Sequence, residues 1–502
     1  MKSICTLVSQ LRRRLVGNIS RANNFATSEK SKSSLMSDVY KIVGGTGLAQ
    51  LLIALATPVL SRLYSQTTFG ISTIFISLTL ILSTVACLRY EFAILLPKEE
   101  SDAVHLLRIS LMAIVLVSLF SSVGLLVAQN TIINLLHEPA LAPYLLLLPL
   151  ALAGIGIYQA FSSWNTRTKN YWRLSMAKIV SAVITIALQI GLGFWLHDNP
   201  AGLVIGFLAG YLAGGIFLGL FIWISVPVVR AAWDWAQLLA NLKHYRKFPL
   251  IDTWGSLVNA ISWQVPPLLL AGFFSPAQAG DYSMAYRLIQ LPVSFIGLAI
   301  AQVYSQQASD VKEDAQVLIQ VTRNVLHRLI GLGIFPALML TILGKDLFVI
   351  LLGANWGVAG VYVQILGIWM FFWFASWPLG MLANIKGKQG TNLLLQVIML
   401  ISRVASLVIG GLLANDLLAI GLFAGTGIFI YIAYALICLR MIHYPLRTTM
   451  PFLVQQTLIA TITIGMLYLL RTIFVIPPLG MVLLGGLVSG LYFLLVMRKM
   501  LV

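Results

Sequence analysis

Apolar stretches of bilayer length follow one another along almost the whole of this chain, each parted from the next by a short polar turn. A helix needs roughly 20 apolar residues to cross a hydrocarbon core. With no water there to satisfy stray backbone groups, the chain has to cross as helices or as a closed barrel. These runs are too long and too uniformly apolar for barrel strands, so hydropathy places fourteen helical spans, near 42–61, 69–88, 106–128, 143–161, 176–196, 201–226, 250–273, 284–304, 327–344, 361–384, 393–414, 417–439, 452–470 and 479–497. Charged residues make up only 10% of the 502 positions, against about 25% in soluble proteins. A soluble enzyme with a single anchor is excluded, and the connections leave no room for a catalytic domain outside the membrane.

The 33 Lys and Arg against 16 Asp and Glu would suggest a nucleic-acid footprint in a soluble protein. Here the basic residues alternate with the spans. With the N-terminus inside, all of them fall on inner loops or tails except Arg62, Arg287, Lys345 and Arg471 at the other face and Arg403 within a span. That is the positive-inside pattern, so the charge sets orientation at anionic lipid and predicts both termini in the cytoplasm, with no nucleic-acid partner. The tail 1–36 is rich in Ser, Asn and Arg and has no apolar stretch fit for a signal peptide. It reads as a basic, disordered cytoplasmic tail, with Met36 an alternative start.

One internal repeat stands out. Gly45, Ser65 and Gly70 bracket the first span as Gly255, Ser275 and Gly280 bracket the seventh, at a constant offset of 210. Six spans lie between, so both copies cross in the same direction, which predicts two parallel six-helix lobes at 37–230 and 231–449, with 450–502 holding two further helices. Both leading helices carry proline within the span, Pro58 in one and Pro266-Pro267 in the other. Proline removes a backbone hydrogen bond and kinks a helix. Interrupted helices at matching places in two halves point to a substrate cavity between them, so these three prolines are hinge candidates.

No catalytic constellation is present: neither HExxH, GxSxG nor a phosphate-cradling GxxxxGK[ST] occurs. The histidines 105, 137, 197, 244, 327 and 443 are dispersed among loops and helix ends, and Cys5, Cys87 and Cys438 have no metal or disulfide spacing. No metal or organic cofactor is expected. The most telling charge is Arg403, eleven residues beyond Asn392 and hence roughly 16 Å into its span. Charges at that depth are costly and face a bundle interior or a wet cavity, and a guanidinium fork suits phosphate. Gln50, Arg62, Asn259, Gln264 and Arg287 are further candidates for a polar cavity. Arg89, Glu91 and Asp252 sit where the inner mouth would be and could exchange a proton, hold Na⁺ or gate.

The stretch from Ser37 through Gly45-Thr46-Gly47-Leu48-Ala49-Gln50 to Pro58, Ser61-Arg62-Leu63-Tyr64 and Phe69-Gly70, then Leu88-Arg89-Tyr90-Glu91-Phe92-Ala93-Ile94-Leu95-Leu96-Pro97, resembles the N-terminal part of bacterial Wzx-type polysaccharide-export flippases. These belong to the multidrug/oligosaccharidyl-lipid/polysaccharide exporter superfamily. Trp164-Asn165-Thr166-Arg167-Thr168-Lys169 and Asn384-Ile385-Lys386-Gly387-Lys388 agree with it. The resemblance implies an all-α, MATE-like inner-membrane transporter that moves undecaprenyl-pyrophosphate-linked oligosaccharide between leaflets by alternating access, coupled to H⁺ or Na⁺. It further implies a polysaccharide polymerase and a chain-length regulator as partners. On that reading Arg62, Arg287 and Arg403 would meet pyrophosphate, while Asn259, Gln264 and the in-span Trp254, Trp263, Trp369, Trp373 and Trp377 would meet sugar. A multidrug cation antiporter or a peptidoglycan-precursor flippase would share the fold. A membrane polymerase or ligase would be expected to show a long periplasmic loop, and none is evident.

Overall fold

A computed structural model describes residues 44–225, 234–474 and 477–501, so the 1–36 tail and residues 226–233 of the middle connection lie outside the described residues. Among the described residues the chain is helical throughout, with no strand. The first half consists of α1 (Gly44–Leu63), α2 (Gln66–Ser83), the short α3 (Tyr90–Ala93), α4 (Glu100–Leu136), α5 (Leu148–Arg167), α6 (Tyr171–Leu196) and α7 (Pro200–Ser225). An amphipathic α8 (Trp235–His244) leads into the second half. This runs through α9 (Thr253–Phe273), α10 (Pro276–Pro292), α11 (Leu298–Asp310), α12 (Ala315–Leu352), α13 (Gly357–Ser376), α14 (Gly380–Ile385), α15 (Gln389–Leu412) and α16 (Asp416–Arg440). The last two helices, α17 (Met450–Phe474) and α18 (Pro478–Leu501), pack on α12, where the Tyr492 hydroxyl donates to the Gly331 carbonyl at 2.9 Å.

Ten helices among the described residues are long and apolar enough to cross a membrane, and the pair Pro139–Leu145 and Leu148–Arg167, bent by 50°, makes an eleventh. The expected fourteen are compatible with this. The segments that fall short include α9 and the α10–α11 stretch, whose interior carries Asn259, Gln264, Asp281 and Arg287 in place of lipid-like side chains. Elsewhere the outward faces are plainly apolar: along α4, Leu116, Leu119, Phe120, Val123, Leu126 and Val127 recur at helical spacing and stand exposed.

Polar contacts between helix ends fall into two sets. At one end Arg89 meets Asp252, Arg167 reaches the 94–99 segment, and Asn241 meets Asp102. At the other, the Ser65 amide donates to Asp198, Ser61 bonds Leu352, and Tyr362 bonds Asp416. The first set lies among the basic loops, and we call that end the basic face.

Hydropathy extended the second span to residue 88, whereas α2 ends at Ser83. Residues 84–99 instead turn back through Leu88 and Arg89, both left-handed at φ 50° and 64°. Cys87, Tyr90, Ala93 and Ile94 are buried against α4 and α5. Arg167 secures this fold-back by donating to the carbonyls of Ile94 and Pro97 at 3.0 and 2.6 Å, with Lys98 and Glu99 at 3.5 and 3.3 Å. Two of the sequence stretches that carry the family resemblance are therefore packing partners.

The repeat has a structural counterpart at the opposite face. A Cβ at Gly70 would strike the Pro276 carbonyl, and a Cβ at Gly280 would strike the Gln66 carbonyl. Gly70 and Gly280 are related by the 210 offset, as are Gln66 and Pro276, so the first turns of α2 and α10 cross reciprocally. Trp356 closes over the crossing, its ring 5.3 Å from Phe69 and its indole N–H donating to the Ser61 carbonyl at 3.0 Å. Gly70→Ala or Gly280→Ala is expected to cost about 1–3 kcal/mol through overpacking against backbone, read as a lowered unfolding temperature in detergent, with Gly465→Ala, whose added Cβ would meet open space, unchanged.

Candidate functional site

The site is built around the prolines of α9. Pro266 has no N–H, so the carbonyl four residues earlier, on Ser262, loses its helical partner. Arg403, 4% exposed, donates to that carbonyl at 2.7 Å and to the Ser262 hydroxyl at 2.9 Å. Its other terminal nitrogen donates to the Tyr431 hydroxyl at 3.3 Å, and its guanidinium carbon lies 4.1 Å from the Trp263 ring centroid. Among the described residues no carboxylate reaches it. A buried cation is thus held by a freed carbonyl, two hydroxyls and an aromatic face, and it keeps its net charge.

Ser262, Trp263 and Tyr431 also line a cavity of about 340 Å³, with Asn259, Trp373, Trp377, Asn384, Asn392, Gln396 and Tyr434 among its other walls. Rings run from it into the core: Trp263 lies 5.1 Å from Trp373, which is stacked 6.1 Å from Tyr286, itself stacked 6.0 Å from Tyr282. Amides form the rim, where Asn392 donates to Asn384 at 3.1 Å and accepts from Tyr434 at 3.2 Å. Among the described residues no carboxylate belongs to the lining. All these walls come from residues 259–434, so this cavity is built by the second half alone.

The sequence candidates distribute unevenly around it. Asn259 lines the cavity, while Arg403 stands one layer behind, backing Ser262, Trp263 and Tyr431. Gln264 is adjacent to Trp263 in sequence, hence turned about 100° from it around the helix, and is not a wall residue. Gln50 is half-buried in α1 and also outside the lining. Arg62 is exposed and folds back on the Pro58 carbonyl at 2.9 Å. Arg287 is half-buried at the glycine crossing, 5.8 Å from the Phe69 ring. Pro267 is buried in α9 beside Pro266, and Pro58 is half-buried in α1. Of the tryptophans, Trp263, Trp373 and Trp377 line the cavity, Trp369 is buried behind it, and Trp254 faces outward at 66% exposure.

Arg89, Glu91 and Asp252 do come together, at the basic face: Arg89 lies 2.9 Å from Asp252 and 3.6 Å from Glu91. Asp252 is exposed, but Glu91 is buried and one of its carboxylate oxygens has no partner. Burial pushes the Glu91 carboxyl up from 4.5 to about 7, against a backbone hydrogen bond and the Arg89 charge, with Asp252 raising it further.

Sequence reasoning missed Asn392, Gln396, Tyr431 and Tyr434. A signal existed: 392, 396, 399 and 403 recur at i, i+4, i+7 and i+11, one helical face ending in the arginine. It missed Asp281 as well, which is 4% exposed with one oxygen unpartnered. Asp281 follows Gly280, and the matching position of the first half is the buried, apolar Ile71.

The comparisons with known proteins can be set against this geometry. Residues 59–360 match the model of a family described as polysaccharide biosynthesis protein. The chain belongs to that family. It is 23% identical over 391 residues to the lipopolysaccharide biosynthesis protein WzxC of Escherichia coli (strain K12), covering 76% of this chain and 75% of that protein. It is 24% identical over 343 residues to the succinoglycan biosynthesis transport protein ExoT of Rhizobium meliloti (strain 1021), covering 66% and 62%. In fold it resembles the lipid II flippase MurJ in an inward closed conformation, at a TM-score of 0.72 and 15% identity over 91% of this chain and 99% of that one. An inward-facing multidrug-resistance MATE transporter of the MOP superfamily follows at 0.62 and 13%, over 78% and 94%. The expected all-α, MATE-like architecture of a polysaccharide-family member is therefore the one found.

Two expectations follow for members of this site. Arg403→Ala should destabilise by about 2–4 kcal/mol, since charge-assisted hydrogen bonds are lost and the Ser262 carbonyl is orphaned. Pro266→Ala in that background should recover about 1 kcal/mol by returning an N–H to the carbonyl, and additive unfolding midpoints for the two changes would contradict the arrangement. For Glu91, the folded chain binds a proton between about 4.5 and 7 that the unfolded chain has released. Stability contributed by this group should be present below 4.5 and fall by roughly 3 kcal/mol as pH rises through 7. Glu91→Gln should flatten that slope when unfolding is followed from pH 4 to pH 8.

Proposed function

We propose that this protein is a flippase of the bacterial inner membrane that moves undecaprenyl-pyrophosphate-linked oligosaccharide from the cytoplasmic to the periplasmic leaflet, supplying surface-polysaccharide synthesis. The observation that carries the reading is the cavity wall: tryptophan faces, tyrosine hydroxyls and amides, with an unneutralised arginine directly behind them. Sugar rings offer C–H faces to aromatics and hydroxyls to amides, and the retained positive potential favours an anionic head. A polyprenyl chain can remain in the lipid, so a cavity of this size has only to take part of the polar portion. Membership of the polysaccharide biosynthesis family and the likeness to WzxC and ExoT support the same substrate class. A cation antiporter is disfavoured because, among the described residues, no carboxylate belongs to this lining.

In this reading the basic face is cytoplasmic, both termini lie there, and the halves 37–230 and 231–449 rock as lobes with 450–502 appended. The reciprocal glycine crossing forms the periplasmic closure and the Arg89–Asp252 pair part of the cytoplasmic one. Arg62 and Arg287, at the periplasmic end, meet the pyrophosphate only late in the cycle, while Gln50 and Gln264, deeper along their helices, offer polar contacts before that. Coupling to H⁺ or Na⁺ is assigned to Asp281, a buried acid beside the crossing, in preference to the exposed Asp252. A polymerase and a chain-length regulator would receive the product.

The test is the sidedness of the lipid-linked oligosaccharide after deletion of the gene. Spheroplasts should accumulate repeat units protected from an added glycosidase, and wild-type protein should restore access. Units accessible at the outer surface in the deletion strain would mean that flipping is intact and would replace this reading with a polymerase or ligase. Trp373→Ala, which removes a cavity wall, should cut restored export at least tenfold at unchanged abundance.

A further inference from the structure

The connection between the two halves carries a surface that flipping does not use. Helix α8 is held by its inner face: Leu238 and Asn241 are buried, and Gln237 and Asn241 both donate to one oxygen of Asp102, at 3.0 and 2.9 Å. Asp234 caps its first turn by accepting from the amides of Ala236 and Gln237. The outer face is apolar and uncovered, with Leu239 61% and Leu242 41% exposed, and Leu250, Ile251 and Trp254 continue it at 65–67%. Immediately beside it Lys243, His244, Arg246 and Lys247 surround an open depression of about 510 Å³. Among the described residues no carboxylate lies within ion-pair distance of Lys243, Arg246 or Lys247.

Each half of this surface would be unfavourable alone. Exposed Leu, Ile and Trp need an apolar cover, and three adjacent cations repel one another unless an anion joins them. A soluble anion would leave the apolar face wet, and an apolar partner would leave the cations unneutralised. One molecule with a phosphate at one end and acyl chains at the other satisfies both, and such molecules make up the bilayer at the ends of these spans. We propose that residues 235–247 form a binding site for an anionic glycerophospholipid, its phosphate among Lys243, Arg246 and Lys247 and its chains along Leu239, Leu242 and Leu250. The occupant would fix the connection that leads, five residues after Lys247, to Asp252 and its ion pair with Arg89. The proposal rests on reading the chain as a bilayer transporter.

The test uses the purified full chain and native mass spectrometry, titrating phosphatidylglycerol against phosphatidylcholine of the same acyl composition. About a tenfold preference for phosphatidylglycerol is expected, given the worth of each basic residue near an anionic lipid surface. Lys243→Gln/Arg246→Gln/Lys247→Gln should reduce it to within twofold, and the Lys243→Arg/Lys247→Arg protein, which keeps the charge, should retain it. If the triple variant does not reach the membrane, Lys243→Gln and Lys247→Gln singly should each reduce the preference by a few-fold. Equal binding of the two lipids, or a preference untouched by these changes, would overturn the proposal. So would displacement of phosphatidylglycerol from this site by equimolar undecaprenyl pyrophosphate, which would make it a landing site for substrate. The readout needs no transport, so a failed flippase assignment would show in the spheroplast experiment and leave this result standing.

Discussion

A missing hydrogen organises the second half of this molecule. Because Pro266 cannot donate, the Ser262 carbonyl is left open in the middle of a membrane helix, where an unsatisfied acceptor costs several kcal/mol. Arg403 fills that vacancy from a helix 141 residues away in sequence. The same guanidinium fixes Tyr431 and lies across Trp263. The proline, the arginine and the aromatic wall are thus one unit: each would be a liability in lipid alone, and together they leave a net positive charge just behind a polar cavity.

That unit explains why a cavity walled by rings, hydroxyls and amides has an unneutralised positive charge directly behind it. A carboxylate partner for Arg403 would have given a neutral ion pair and spent the field locally. Carbonyl and hydroxyl acceptors satisfy its hydrogens and leave the charge, so the field is available to whatever enters between Trp263 and Tyr431. The acids that come nearest to a functional role lie elsewhere, Glu91 and Asp252 at the basic face, Asp281 and Asp416 at the other end.

Much of the architecture was legible because lipid imposes it. The all-helical, many-span architecture and the burial of Arg403 follow from rules that a bilayer enforces on single residues. Whatever protein rather than lipid covers was not legible. Leu88–Pro97 is apolar enough to pass for a span end, yet it is buried by α4 and α5 in a fold-back that hydropathy cannot tell from membrane. Polarity alone, read without helical phase, singles out Gln264, which is off this lining, and not Asn392 and Gln396 on the face that ends in Arg403. Arg62 stands out in sequence as a charge that orientation leaves unexplained, and in this conformation it bonds the Pro58 carbonyl of its own helix. Asp281 falls beside a turn in sequence, where an acid is ordinary, and its mismatch with the apolar Ile71 across the repeat is the signal that marks it.

The reciprocal crossing has a kinetic consequence. Gly70 rests on Pro276 and Gly280 on Gln66, so neither tip can withdraw without the other losing its seat. A hinge with two independent latches would open in stages and leak through half-open forms. Here the seats are mutual, so any parting of the two helix tips breaks both backbone contacts together.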